Sequence, residues 1–171
     1  MGYAALVIGV VENTDDFDHW GRVQVSYPCL GSGSRSAPAP IAALMAGQGR
    51  GTWMVPMPGD EAVLGFDRGD VDCPIVLGFL WNGQDNPPST TTKERMIRSV
   101  NGHAIRFLDS TPLAGGNKGA LVIEDAHGNS IVLTNGKLTI RAAGELVLDA
   151  ATIRLTSLGA SRIVTPNKNP I

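Results

Sequence analysis

Along the last third of the chain, apolar and polar residues alternate in short pairs: Ile131/Leu133, Leu138/Ile140, Leu146/Leu148 and Ile153/Leu155. Steps of seven or eight residues separate the pairs, and Gly128, Gly136 and Gly144 recur at an eight-residue step between them. Alternation predicts strands and the glycines predict the turns that join them. Self-similarity at so short a period marks a stacked β repeat whose units cannot bury their own apolar faces alone. With Ile123 added, the expected inward residues are Ile123, Ile131, Leu133, Leu138, Ile140, Leu146, Leu148, Ile153 and Leu155. One chain makes only a narrow ribbon of these, so a partner must supply the second layer. Three identical chains around one axis provide the simplest closure, which predicts an obligate homotrimer wound as an intertwined β-helix or β-prism. At about 4.8 Å per stacked strand, five or six strands make a rod on the order of 25–30 Å long.

The first half predicts five short strands: Leu6 to Val11, Gly21 to Tyr27, Thr52 to Val55, Glu61 to Phe66 and Ile75 to Leu80. Turn chemistry separates them, with an acidic loop at Asn13 to Asp18, a tight turn at Pro58-Gly59-Asp60 and a charged hairpin tip at Asp67 to Asp72. Five strands with a long connection from Pro28 to Gly51 suit an OB-like barrel. The run Asn86-Pro87-Pro88-Ser89-Thr90 resists both packing and helix formation and is the natural boundary. The expected organisation is a barrel domain over 1–84, a linker over 85–98, a β-helix over 99–165 and a tip tail over 166–171.

Composition agrees with an all-β chain: 171 residues hold 21 glycines and 11 prolines and no long 3.6-period stretch. The start, Met1-Gly2-Tyr3, has no basic region followed by a hydrophobic core, so synthesis in the cytoplasm without a signal peptide is expected. A net charge of −2 disfavours a nucleic-acid partner. Cys29 and Cys73 stand far apart without a ligand motif and read as reduced structural thiols. Trp20, Trp53 and Trp81 read as barrel-core or interface packing rather than as stacking platforms for bases or sugars. Asp15, Asp16 and Asp18 read as a solvated acidic turn, and Arg68-Gly69-Asp70 as a chance match to an adhesion tripeptide. Asp60/Glu61 and Glu124/Asp125 are neighbours on strands and point to opposite faces, which suits no acid–base pair. Neither a phosphate loop nor a nucleophile elbow occurs, so no catalytic residue, cofactor or metal is expected.

A more specific signal lies in the motifs. Met45-Ala46-Gly47, Arg50-Gly51, Pro58-Gly59-Asp60-Glu61-Ala62-Val63-Leu64 and Phe66, then Pro74-Ile75-Val76-Leu77-Gly78, Leu80-Trp81-Asn82-Gly83 and Pro87-Pro88, stand in order. Ser99, Gly102-His103, Ile105 and Phe107 follow. This series resembles the OB domain of phage baseplate protein V and the VgrG-type spike proteins of contractile injection systems, together with the start of their β-helix. The resemblance implies a trimeric central spike: three OB domains form a collar under a tube hub, and the β-helix projects as the needle that pierces the envelope. It also implies a separate hub protein as partner, because the hub domain fused to full-length VgrG proteins is missing here, and a possible PAAR-like cap. Ile163, Val164, Pro166 and Pro170 are then the expected tip or cap contacts. Some members carry a muramidase domain, for which 84–98 is too short, and others a His-x-His pair that binds iron at the tip. Here His19, His103 and His127 are isolated in sequence, so no apical metal is expected. The competing reading is an OB-type module for nucleic acid or glycan, trimerised by its repeat.

Overall fold

The computed structural model describes residues 6–27, 35–110, 116–157 and 160–164, with residues 157 and 160–164 described as backbone alone. The chain divides into two compact units, Met1–Pro87 and Pro88–Ile171. Among the described residues every regular element is a strand apart from one 3₁₀ turn at Asp67–Gly69.

The first unit contains β1 (Val7–Asn13), β2 (Gln24–Ser26), β3 (Ala46–Gly47), β4 (Arg50–Gly51), β5 (Glu61–Phe66) and β6 (Pro74–Leu80). Four of them form an antiparallel sheet in the order β2-β1-β5-β6. Alternation sets its inner face: Val11, Val25, Ala62, Leu64 and Val76 are buried with Val23, Tyr27 and Ala39 in one core cluster. The sheet is closed by residues 35–42, which bridge its two ends. On one side Val23 and Ala39 exchange N–H···O bonds of 2.9 and 2.7 Å, and Ser36 N–H donates to Val25 O at 2.8 Å. On the other side Val76 N–H donates to Pro40 O and Ala42 N–H to Val76 O, and the bridge Ile41 to Val76 is parallel. Five segments thus ring the core, with an antiparallel neighbour pair everywhere except the one parallel closure. That is the connectivity of an OB barrel. Irregularities between Val11 and Asn13 and between Val63 and Leu64 let the short strands curve into it.

The fifth barrel member is therefore not where the sequence predicts it. Thr52 to Val55 lies outside any strand, and the closing member comes from the connection expected to lie beside the barrel. Pro38 and Pro40 explain the difference, because neither can donate to a ladder and the segment pairs only through isolated bridges. The tryptophans are not barrel core either: Trp20, Trp53 and Trp81 are 72%, 73% and 69% exposed.

The second unit contains β7 (Glu94–Arg98), β8 (Ala104–Asp109), β9 (Gly119–Glu124), β10 (Ser130–Thr134), β11 (Lys137–Arg141), β12 (Ile153–Ser157) and β13 (Ala160–Val164). The first five form an antiparallel meander in chain order, and β12 pairs with β13. β7 occupies residues that the sequence assigned to a linker. Asn135 and Gly136, with φ of 41° and 75°, make the two-residue turn from β10 to β11, the geometry that Asn-Gly favours in a hairpin. Gly128, with φ of 88°, lies in the turn from β9 to β10, where Asp125 Oδ1 accepts from the N–H groups of His127 and Asn129 at 2.9 Å each.

Ser36 tests the barrel closure. Its buried hydroxyl accepts the Val25 N–H at 3.0 Å, so Ser36→Ala leaves that donor unsatisfied. The expected cost is about 1–3 kcal/mol. Urea or thermal unfolding followed by circular dichroism reads it, and an unchanged midpoint would refute the closure.

Candidate assembly face

Pairing register in the meander places the apolar residues of five strands in two rows on one face. The first row is Ile97, Ile105, Ile123, Ile131 and Ile140, each opposite the next across its neighbouring strand. The second is Phe107, Leu121, Leu133 and Leu138, ended on β7 by Arg95. Every strand contributes at positions two apart, so the face follows directly from the period of the β-strand. All of these apolar residues except Leu121 count among the exposed large hydrophobics of the chain. A contiguous apolar face of this size, open to water, is the mark of an interaction surface.

The opposite face carries the charged and hydroxyl side chains of the sheet, with Met96, Leu108, Val122 and Val132 among them. At its centre the Arg106 guanidinium on β8 donates from Nε to Glu94 Oε1 on β7 at 2.6 Å and from Nη1 to Glu124 Oε1 on β9 at 3.0 Å. Ser89 Oγ donates to the other Glu94 oxygen at 2.7 Å. Hydrogen bonds from Ser89 and Arg106 hold the Glu94 carboxyl below its ordinary range, and Glu124 with Glu94 raises Arg106. The guanidinium thereby ties three adjacent strands, with Val122 buried between them. Arg95 pairs with Asp109 at the sheet edge.

Five of the nine expected core residues, Ile123, Ile131, Leu133, Leu138 and Ile140, lie on the apolar face. The structure adds Ile97, Ile105, Phe107 and Leu121, whose alternation begins one strand pair before the glycine repeat. Leu146 and Leu148 lie in the stretch 142–152, outside any strand, and both are exposed. Gly144, unlike Gly128 and Gly136, does not turn a hairpin. The eight-residue step therefore yields no further strand of the sheet after Arg141. Ile153 and Leu155 are on β12, opposite Val164 and Arg162 of β13, so Ile163 and Val164 belong to a hairpin. Pro166, Pro170 and Cys29 lie outside the described residues.

Chemistry elsewhere is structural. Asp60 accepts the Met57 N–H at 2.8 Å within its turn, Glu124 is engaged by Arg106, and Asp125 builds a turn. Asp16 is held well below the usual carboxylate range by hydrogen bonds from Arg22, whose guanidinium also reaches Asp18 at 2.5 Å. The acidic loop is thus an ion-paired clamp rather than a freely solvated turn. His103 and His127, isolated in sequence, sit on adjacent turns with ring centroids 6.2 Å apart. No group of three or more His, Cys, Asp or Glu residues able to hold a metal occurs among the described residues.

Residues 7–81, the whole barrel, match the family model of the Type VI secretion system/phage-baseplate injector OB domain. Over these residues the first unit is similar to that family. Three curated relatives are VgrG spike proteins of the Type VI secretion system. It is 28% identical over 137 residues to the Type VI secretion system spike protein VgrG5 of Pseudomonas aeruginosa, a match covering 78% of this chain and 16% of that protein. It is 27% identical over 100 residues to the spike proteins VgrG2a and VgrG2b of the same organism, covering 56% of this chain and 12% and 10% of theirs. The chain therefore spans a small part of each relative. The injector OB domain accounts for the barrel, and the apolar meander lies outside the region matched by the family model.

The Arg106 tie makes a pH-dependent prediction. A carboxyl whose folded pKa is depressed stabilises the fold above its unfolded value and loses that contribution as pH falls through the folded one. Arg106→Gln should lower the thermal midpoint by several degrees at pH 7, and the gap to the parent protein should narrow below about pH 4. Melting curves across that range read it; a gap that stays constant with pH would overturn the ion-pair account.

Proposed function

We propose that the chain is a structural central-spike component of a contractile tail or injection-system baseplate. Three copies form it, with the OB unit joined to a separate hub protein and the second unit forming the needle. It closes the tube end in the assembled particle and pierces the target envelope when the sheath contracts, and it is not an enzyme. A PAAR-like protein caps the tip, and contact with the envelope is transient. Neither cofactor nor nucleic acid takes part.

The observation that carries this reading is the uncovered two-row face of Ile, Leu and Phe. Covering a half-exposed side chain of this kind contributes on the order of 1 kcal/mol. Eight such residues in each of three chains outweigh the cost of ordering the association, which is about 4–15 kcal/mol for a pair. Among the described residues the outer strands β7 and β11 have no strand neighbour on their outer edges, so pairing between copies would satisfy the same strands that packing covers. Likeness to spike proteins of the Type VI secretion system supports the setting.

Light scattering on the full-length chain should give three times the 18.0 kDa chain mass at every concentration. A monomer would overturn the spike reading. Leu133→Asp sets three like charges around one axis and should abolish the soluble trimer, because burying unpaired carboxylates is prohibitive. Lys137→Asp, on the polar face of β11, should leave the trimer mass unchanged. Equal behaviour of the two variants would show that the assigned face is not the core.

A further inference from the structure

A groove of about 810 Å³ in the first unit is lined by apolar side chains that the barrel core does not use, among them Trp20, Met45, Trp53, Met54 and Phe79. Two of its walls carry backbone without a partner. β6 is the last strand of its sheet, and the closing segment meets its outer edge at Val76, through Pro40 and Ala42. Beyond that closure β6 runs on. From Leu77 to Leu80 its outer edge has no backbone partner among the described residues, and Gly78 and Phe79 line the groove. On another wall stand Trp53, Met54 and Val55, whose residue types favour a strand and whose backbone makes no hydrogen bond to a described residue. An unpaired strand edge is a template for one more strand.

The side-chain walls are set in advance. The Trp20 ring lies 4.7 Å from the Arg22 guanidinium, which Asp16 and Asp18 clamp at 2.6 and 2.5 Å. Trp53 rests on Gly21 so closely that a Cβ there would lie 2.7 Å from the indole. Charge narrows the occupant further. Residues 41–57 hold a single charged side chain, Arg50, together with three methionines and a tryptophan. Arg50 lies across Gly47, where a Cβ would be 2.8 Å from its Nε, and makes no ion pair with a described residue. One cation beside the carboxylates of Asp16 and Asp18 suits no phosphate backbone. Methionine and aromatic enrichment with depletion of charge suits a protein partner. An extended segment with apolar residues at alternate positions and one carboxylate matches the open edge, the apolar walls and the lone cation together.

We propose that this groove takes up an extended segment of another protein by strand addition. The segment pairs with β6 over residues 77–80, turns alternate apolar side chains onto Trp20, Trp53 and Phe79, and sets a carboxylate at the rim beside Arg50. The site is built within one chain, so the proposal stands apart from the trimeric reading of the second unit.

The test titrates a fluorescently labelled, capped peptide, Val-Glu-Val-Thr-Val-amide, against the full-length chain and reads anisotropy, with mass by light scattering on the same sample. Saturable binding is expected whatever the mass. N-methylation at every second residue, made in both phases, should weaken it about tenfold in at least one phase, because one set of N–H groups bonds the β6 edge. Lys in place of Glu in the peptide should weaken it about threefold, and Arg50→Glu should restore binding of the Lys peptide. Trp53→Ala should abolish binding, whereas Trp81→Ala, outside the groove, should leave it unchanged. No saturable binding, equal binding by both N-methylated forms, or binding untouched by Trp53→Ala overturns the proposal.

Discussion

A slip of one residue between β10 and β11 would turn Leu138 and Ile140 to the polar face and carry Lys137, Thr139 and Arg141 to the apolar one. The whole meander depends on avoiding that slip. The Asn135-Gly136 turn sets the register at one end, since its two-residue loop with both residues at positive φ brings Thr134 opposite Lys137. Arg106 sets it at the other side of the sheet by engaging Glu94 and Glu124 on its two neighbouring strands. With register fixed from both directions, the isoleucine row and the Phe/Leu row follow without further specification.

The part of this arrangement that sequence makes legible is the local part. Alternation at Ile131/Leu133 and Leu138/Ile140 identifies strands, and Gly128 and Gly136 identify their turns, because both signals come from residues within a few positions of each other. Interactions between distant segments are hidden. His103 and His127 meet because two turns lie at one end of the meander. The barrel closure through 35–42 rests on isolated bridges to Val23 and Val76, a pairing with no alternation of its own. Thr52 to Val55 shows the converse: aromatic and β-branched residues favour a strand, but propensity needs a neighbouring strand to be realised, and no described strand pairs with this segment. Gly144 and Leu146/Leu148 continue the sequence rhythm past the last strand of the sheet for the same reason.

The two units therefore solve the edge problem differently. The first closes its four-stranded sheet on itself through Val23, Ala39, Ile41 and Val76, so the ends of that sheet find partners inside one chain. The second leaves β7 and β11 as free edges flanking an uncovered apolar face. Backbone pairing and core packing are thus both unfinished in the second unit, while in the first the fold is complete.

This division has a consequence for how assembly is ordered. A unit whose barrel core of Val11, Val25, Leu64 and Val76 is already buried folds on its own contacts, and its association is a surface event. In the trimer proposed above, a meander with its Ile and Leu rows open gains most of its burial only when copies meet, which couples folding of the second unit to oligomerisation. Ion pairs in each unit, Arg22 with Asp16 and Arg106 with Glu94, hold local geometry. Stiffness in such an object comes from shared strands and a shared core rather than from any single strong bond. In the proposed trimer, loosening one copy would expose apolar rows on its neighbours as well as its own, and that shared cost suits the mechanical role proposed above.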